Sequence, residues 1–309
     1  MHEQDQPASL NTNLSKSVIQ IGGLSLRLCG TCPKDIWFTS GITAFSGFGR
    51  DVDINISIEW GDDPRFHPRS TVFDSGGVWA LFSNGSDLVF DFVSAALGEL
   101  SYKSLYVNTS FELARVTLAR EIFQLHRSMR ALDFPLDELL FTNYLAAHAL
   151  GVEVHGCGLI DAETGGHLLL GHSGAGKSTT AYLWQSLRNP EILSDDRIIL
   201  RIEGGELWMY GTPWHGEGCF ASPNKAKLNR ILVLKHGERN ELVELPRALA
   251  AAELFARSFP PFHSPEGLQN VMDFLNKVVH LVPCYEFRFV PDASAVETVL
   301  EMQRESLIA

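Results

Sequence analysis

Holding a phosphate in water requires several donors aimed at one point, and residues 171–178, GHSGAGKS, supply them. Gly171, Gly176, Lys177 and Ser178 fit the spacing G-x-x-x-x-G-K-S. Glycines there let the backbone curl, so that the N–H groups of Gly171, His172, Ser173, Gly174, Ala175 and Gly176 can face one phosphate. A helix opening at Lys177, with Thr179 in its first turn, aims the positive end of its dipole at the same point. The Lys177 ammonium reaches the β- and γ-phosphates, and the Ser178 hydroxyl is placed to ligate Mg²⁺. The segment NKAK, 224–227, has lysine where a guanine-reading N-K-x-D needs aspartate, so ATP is expected over GTP.

Acids near such a loop decide what becomes of the phosphate. PEILSDDRIIL, 190–200, places Asp195 and Asp196 after a short apolar run. Two adjacent carboxylates repel each other without a cation. With Mg²⁺ present, Asp195 can hold the ion's shell while Asp196 accepts a proton from an attacking hydroxyl. His155 is the next candidate. A hairpin through DAETGG, 161–166, that pairs Ile160 with His167 would set His155 opposite position 172, inside the loop. The Gly- and Pro-rich stretch YGTPWHGEG, 210–218, carries Thr212, Trp214, His215 and Glu217, and Glu217 is expected as a further Mg²⁺ ligand. Lys225, Lys227 and Arg230 form either a solvated face or a contact for phosphate charge. Cys29 and Cys32 have C-x-x-C spacing, but no second pair or nearby histidine completes a zinc site, so they read as an incidental pair in a turn.

These residues need elements to position them. Leu168 to Leu170 form an apolar strand before the loop, and Ala181, Trp184 and Leu187 lie along one side of the helix after it. Residues 151–309 alternate between the two types: strands at 153–160, 167–170, 191–194, 198–202, 206–210, 230–235 and 285–290, and helices near 177–188, 246–257, 265–280 and 293–304. Residues 1–150 form a β-rich region ending in helices. In DVDINISIEW, 51–60, Val52, Ile54, Ile56, Ile58 and Trp60 alternate with polar residues, which is the period of a half-buried strand. VIQIGGLSLRL, 18–28, reads as two strands around Gly22–Gly23, and residues 71–93 as three more. PRFHPRS, 64–70, reads as a loop, and residues 111–132 and 135–151 favour helix. The expected class is α/β (α+β overall): a β-rich N-terminal domain, 1–150, then a P-loop α/β domain, 151–309.

The 309 residues carry a formal charge of −12, which disfavours nonspecific binding to nucleic acid or to a membrane surface. The polar, acidic start lacks the pattern of a secretory signal, and no apolar run is long enough to span a bilayer. Five cysteines, an odd number, fit a reducing cytoplasm.

Together, VHGCGLID (154–161), GHSGAGKSTT (171–180) and LSDD (193–196) resemble the catalytic domain of HPr kinase/phosphorylase, in the phosphoenolpyruvate-carboxykinase-like P-loop group. The resemblance implies an active-site role for His155, with Lys177 as the phosphate lysine, Ser178 as a Mg²⁺ ligand and Asp196 as the proton acceptor. It also implies a downstream metal glutamate, for which Glu217 is the nearest match, and a homo-oligomer. The β-rich leader looks more like HPr-kinase-like proteins of peptide-modification gene clusters. The leading expectation is an ATP- and Mg²⁺-dependent kinase acting on a hydroxyl, a Ser of a peptide or small protein. The alternative is a nucleotide-gated binding module whose carboxylates orient water. A carboxykinase-like enzyme ranks last, since no arginine cluster suited to a dicarboxylate lies near the motifs.

Overall fold

The computed structural model describes residues 15–30, 40–49, 51–61, 70–85, 87–97, 101–125 and 130–308. Its architecture is mixed α/β with two multi-stranded sheets. The first sheet is built from β1 (Ser15–Ile21), β2 (Leu24–Gly30), β3 (Ile54–Gly61), β4 (Ser70–Asp74), β5 (Trp79–Asn84), β6 (Asp87–Phe92), β7 (Lys103–Asn108) and β8 (Leu113–Ala119). Their spatial order is β1-β2-β3-β8-β7-β6-β5-β4. The period of two is realised directly: Leu24, Leu26 and Leu28 of β2 and Ile54, Ile56 and Ile58 of β3 are buried, and the residues between them are partly exposed.

Residues 111–132 depart from the helical expectation. Leu113–Ala119 is strand β8, and among the described residues of this segment only Arg120–Leu125 is helical (α2, following the four-residue α1, Ser40–Thr43). Val116 and Leu118 alternate with Arg115 and Thr117, so the segment also carries a period of two. The gap between β3 and β7 decides between the two patterns: β8 runs parallel to the first and antiparallel to the second. Its propensity is overridden by the hydrogen bonds of two neighbours. Within this region Cys29 lies on β2, whereas Cys32 and residues 64–69 fall outside the described residues.

The helix expected after Pro135 forms as α3 (Leu136–Ala147) and buries Leu136, Leu140, Phe141 and Leu145. It packs with the first sheet in one apolar core that also takes in Ile199, Tyr210 and Trp214. The two sheets therefore share a core and are not merely tethered. The β1–β2 turn is tied in as well, since Arg201 donates to the Gly22 carbonyl at 3.0 Å.

The second sheet uses β9 (Gly151–Asp161), β10 (Gly165–Leu170), β11 (Glu191–Ser194), β12 (Arg197–Glu203), β13 (Glu206–Tyr210), β14 (Lys225–His236), β15 (Glu241–Glu244) and β16 (Cys284–Phe289). β9 is shared along its length: its first half pairs with β12 and its second with β10 and β11. Pairing of β14 with both β13 and β10 closes a ring through β9, β12, β13, β14 and β10. Helices α4 (Lys177–Arg188) and α7 (Ala293–Ile308) cover one side, where Leu169, Leu232, Trp184 and Val299 meet. Helices α5 (Arg247–Phe255) and α6 (Pro265–Leu281) cover the other, against Leu168, Leu170, Ile231 and Val233. Strands buried on both faces read as unbroken apolar runs, as Leu168–Leu170 and Ile231–Leu234 do.

All the strands and helices expected in 151–309 are present, and the expectation omitted only β15. β14 starts at Lys225 rather than 230, so Lys225 and Lys227 sit on a strand and pair with Glu203 at 2.6 Å and Glu206 at 2.5 Å. Arg230 is buried. No helix among the described residues is long and apolar enough to cross a membrane.

Candidate functional site

β10 leads into the glycine loop that the sequence marks for a phosphate. Leu168, Leu169 and Leu170 are fully buried, so the strand cannot shift without opening two cores, and the loop begins at a fixed point. Gly176 sits at φ +98°, and a Cβ there would stand 2.6 Å from the Phe289 ring, so glycine is required on both counts. The turn is drawn tight by Ala175 N–H donating to the His172 carbonyl at 3.0 Å. His172, Ser173 and Gly174 face solvent, Ala175 is buried beneath them, and the space beside Gly174 is open. Helix α4 starts at Lys177 and is anchored by Ala181 and Trp184. Ser178 is half-buried and Thr179 exposed in its first turn. Exposed amides at a helix N-terminus, with open space in front of them, fit a phosphate.

Lys177 lies across this loop, 7 % exposed. Its ammonium donates to the Gly171 carbonyl at 3.0 Å, to the His172 carbonyl at 3.3 Å and to His155 Nε2 at 2.9 Å. Burial pulls its pKa below the usual lysine value, with Asp196 opposing that shift. The other nitrogen of His155, Nδ1, stands 2.9 Å from Asp196 Oδ1. With Nε2 accepting from Lys177, a neutral ring carries its proton on Nδ1, which faces Asp196 Oδ1 and the Asp196 carbonyl at 3.2 Å, with Arg197 Nη1 also 3.0 Å away. Arg197 holds the other oxygen, with Nη1 at 2.6 Å from Asp196 Oδ2. Burial alone would raise the Asp196 pKa. The His155 hydrogen bond and the charges of Arg197 and Lys177 outweigh it, so the carboxyl is held below its ordinary value and is ionised at neutral pH. Lys177, His155 and Asp196 thus form a continuous chain from the glycine loop to a carboxylate.

The β9–β10 register differs by one residue from the expected one. Ile160 faces Gly166, and the pairing ends at Gly156 opposite Leu170. A one-residue slip moves every side chain to the other face. His155 lies just past this pairing and is aligned instead with Arg197 on β12, and it reaches Lys177 from there.

Asp195 takes a different part from its neighbour. It is 2 % exposed, and its two oxygens accept from Gly216 N–H at 2.9 Å and Gly218 N–H at 2.7 Å. The loop 211–218 closes around it, with Ser194 Oγ donating to the Trp214 carbonyl at 3.0 Å and Thr212 Oγ1 to the Arg197 carbonyl at 2.7 Å. Glu217 and His215 point to solvent from this loop. Of the residues expected as metal donors, Ser178 is half-buried at the start of α4, Asp195 is buried and Glu217 is exposed between the two glycines that hold Asp195. No group of three His, Cys, Asp or Glu side chains able to hold a metal occurs among the described residues.

Several members of the site escaped the sequence reading. Arg197 is its hub: besides Asp196, its Nε lies 3.3 Å from both Glu138 Oε2 and Glu153 Oε1. The Phe259 ring lies 4.4 Å beneath its guanidinium. Glu153, 1 % exposed, is within ion-pair distance of Arg197, yet neither of its oxygens is aligned for a hydrogen bond. Burial, with Glu138 close by, drives its pKa well above the usual value, and burial raises that of Glu138 too. Charged residues on two alternating strand positions, Glu153 and His155, were the available signal: a strand this buried rarely carries them without a purpose. On its other side, residues 257–259 run along β9, where His155 N–H donates to the Arg257 carbonyl at 2.7 Å. A cleft of about 300 Å³ opens there between His155, His172 and Arg257.

No protein-family model and no curated protein matches the chain. Among solved structures it is similar to the Hpr(Ser) kinase/phosphatase from Coxiella burnetii, with 14% sequence identity and a TM-score of 0.32. That likeness covers 51% of this chain and 99% of the other. It is a distant likeness, and the site stands on its own geometry.

Proposed function

We propose that this chain is a kinase that transfers the γ-phosphoryl group of ATP to a hydroxyl, a Ser of a peptide or small protein. The observation that carries the reading is the chain Lys177–His155–Asp196, with links of 2.9 Å each, between the glycine loop and an ionised carboxylate. The loop amides and Lys177 hold the phosphates and stabilise charge developing on the transferred group. Asp196 accepts the hydroxyl proton as the new O–P bond forms and the bond to the departing diphosphate breaks. His155 keeps the Asp196 carboxylate aimed at the loop, and Arg197 keeps it ionised. Mg²⁺ belongs to the reading as the companion of the nucleotide, whose negative charge it neutralises. Such an ion draws most of its shell from phosphate and water and needs only one or two protein oxygens, for which Ser178 and Asp195 are this chain's candidates.

Incubation with γ-labelled ATP, Mg²⁺ and Ser-containing peptides tests the proposal. Label is expected as a phosphoester on the peptide. Label released only as free phosphate would overturn it and favour a nucleotide-gated binding module.

A further inference from the structure

Beside the site lies a second depression that the phosphoryl chemistry does not use. It has a volume of about 280 Å³ and is walled by Phe73 and Trp79 of the first sheet, by Val78 in the turn between β4 and β5, and by Phe134, Phe259 and Phe262 from the other side. Its rim is open: Phe134 is 61 % exposed, Phe262 64 % and Val78 51 %. Apolar side chains of this size gathered on one surface mark a binding site more often than a solvated face. Two of its walls are braced by neighbouring rings, since Trp79 stacks on Phe73 at 5.3 Å and Phe262 meets Phe255 edge-on.

Two of its walls are shared with the site. Ser258 and Phe259 also line the cleft over His155 and His172. Phe134 and Glu138 also line a cleft of about 340 Å³ that holds Asp196 and Arg197. Phe259 therefore lines the groove and also lies against the Arg197 guanidinium. A molecule whose hydroxyl reaches Asp196 meets this groove as its next neighbour. The passage between them is acidic. Asp133, Glu138 and Asp196 line it beside the single guanidinium of Arg197, with Asp137 buried behind them, and Lys103 is bound to Asp133 from below. An apolar slot behind a row of carboxylates is complementary to a segment that carries both a bulky apolar side chain and a cation.

We infer that the groove walled by Phe73, Val78, Trp79, Phe134, Phe259 and Phe262 is the docking site for the acceptor. The occupant is an extended peptide that presents a Ser at Asp196, an aromatic or large aliphatic side chain in the groove, and a Lys or Arg against Asp133 and Glu138. This rests on the kinase reading for the Ser, but not for the apolar side chain or the cation. It places the choice of substrate in the seam between the two sheets. The phosphate loop recognises the nucleotide, and the Phe134–Phe259 walls recognise the peptide.

The test uses the full chain and three fluorescein-labelled synthetic peptides that each contain one Ser. One carries Phe and Lys nearby, one Ala and Lys, and one Phe and Glu. Anisotropy is expected to show the Phe–Lys peptide binding about tenfold or more tightly than the Ala–Lys one, the effect of burying one large apolar side chain, and also more tightly than the Phe–Glu one, whose carboxylate meets Asp133 and Glu138. Val78→Asp and Phe262→Asp change exposed positions, so the fold is expected to persist by circular dichroism. Both should abolish the Phe preference while binding of a fluorescent ATP analogue stays unchanged. Equal binding of all three peptides overturns the inference, as does a preference that survives both variants. A dimer in light scattering that either variant dissolves also overturns it, since a second copy would then fill the groove. Selective binding of the Phe–Lys peptide without labelling from γ-labelled ATP leaves the groove standing and removes the kinase reading. Labelling of all three peptides alike does the reverse.

Discussion

In the first sheet, β2 buries Leu24, Leu26 and Leu28 and leaves Ser25, Arg27 and Cys29 partly exposed, whereas in the second, β10 buries Leu168, Leu169 and Leu170 in succession. The first has one face on the core and can carry polar pairs on the other, such as Arg27 with Asn55 at 3.0 Å. In the second, β10 and the stretch Ile231–Leu234 of β14 are covered on both sides by helices and leave no free face. Its chemistry is therefore displaced to strand ends, to the loop after Leu170, to Asp195 and Asp196 after Ser194, and to His155 where β9 passes from one partner to the other. Double coverage also makes those ends rigid, and a site that must hold Lys177, His155 and Asp196 within hydrogen-bond reach needs such rigidity. The first sheet supplies a wall of the adjoining groove instead.

The largest expected effect would break this division of labour. Asp196→Asn should lower phosphoryl transfer from ATP to a Ser peptide by about 10²–10⁴-fold, the range for losing a general base. Activity within tenfold of the parent would move the proton acceptor away from the strand end. Next, Leu169→Ala should cost about 2–5 kcal/mol in urea unfolding and weaken nucleotide binding, because Trp184 of α4 shares its core. Leu26→Ala, equally buried in the first sheet, should cost a similar amount and leave nucleotide binding alone. Loss of nucleotide binding in both would erase the contrast.

The seam between the sheets gives a smaller, pH-dependent effect. Asp137 of α3 is buried and accepts from the Trp214 indole at 2.9 Å. Burial, only partly offset by that bond, pushes its pKa from 3.8 up to about 6. Between those values the folded chain holds a proton that the unfolded chain has released. Stability should therefore fall as pH rises from about 4 to about 6, by on the order of 2–3 kcal/mol from this group, and level off above. Asp137→Asn should flatten this part of the urea midpoint against pH. A slope unchanged in the variant would assign the effect to other carboxyls. The smallest effect belongs to the exposed face of the first sheet, where Arg27→Thr should shift stability by no more than about 0.5 kcal/mol. A larger loss there would show that this face is covered.

Legibility in the sequence followed the same division. Residues 168–180 were readable because strand, glycine turn and helix each rest on neighbours in sequence. The strand runs and helices of 151–309 were readable for the same reason. The segment 113–119 was misread because its residues serve two periods, and only the vacancy between β3 and β7 selects strand. Asp195 and Asp196 are adjacent yet do different things. One is wrapped by the amides of Gly216 and Gly218, the other held by His155 and Arg197, and adjacency alone carries no sign of either.

The sequence by itself determined the loop geometry at Gly171–Ser178 that is proposed to hold a phosphate, because backbone curl, helix dipole and lysine reach are local properties of that spacing. It also determined that His155 and Asp196 are chemically equipped to act there. Only the tertiary structure decided that they touch, through a β9–β10 register one residue from the expected one and through β12 laid beside β9. It alone decided that Arg197 gathers Glu138 and Glu153 from distant parts of the chain, and that Phe134 and Phe259 wall one groove. Local geometry follows from bonded neighbours. Contacts between distant residues depend on which strands pair and in what register, and the buried area and hydrogen bonds of the whole fold settle that choice.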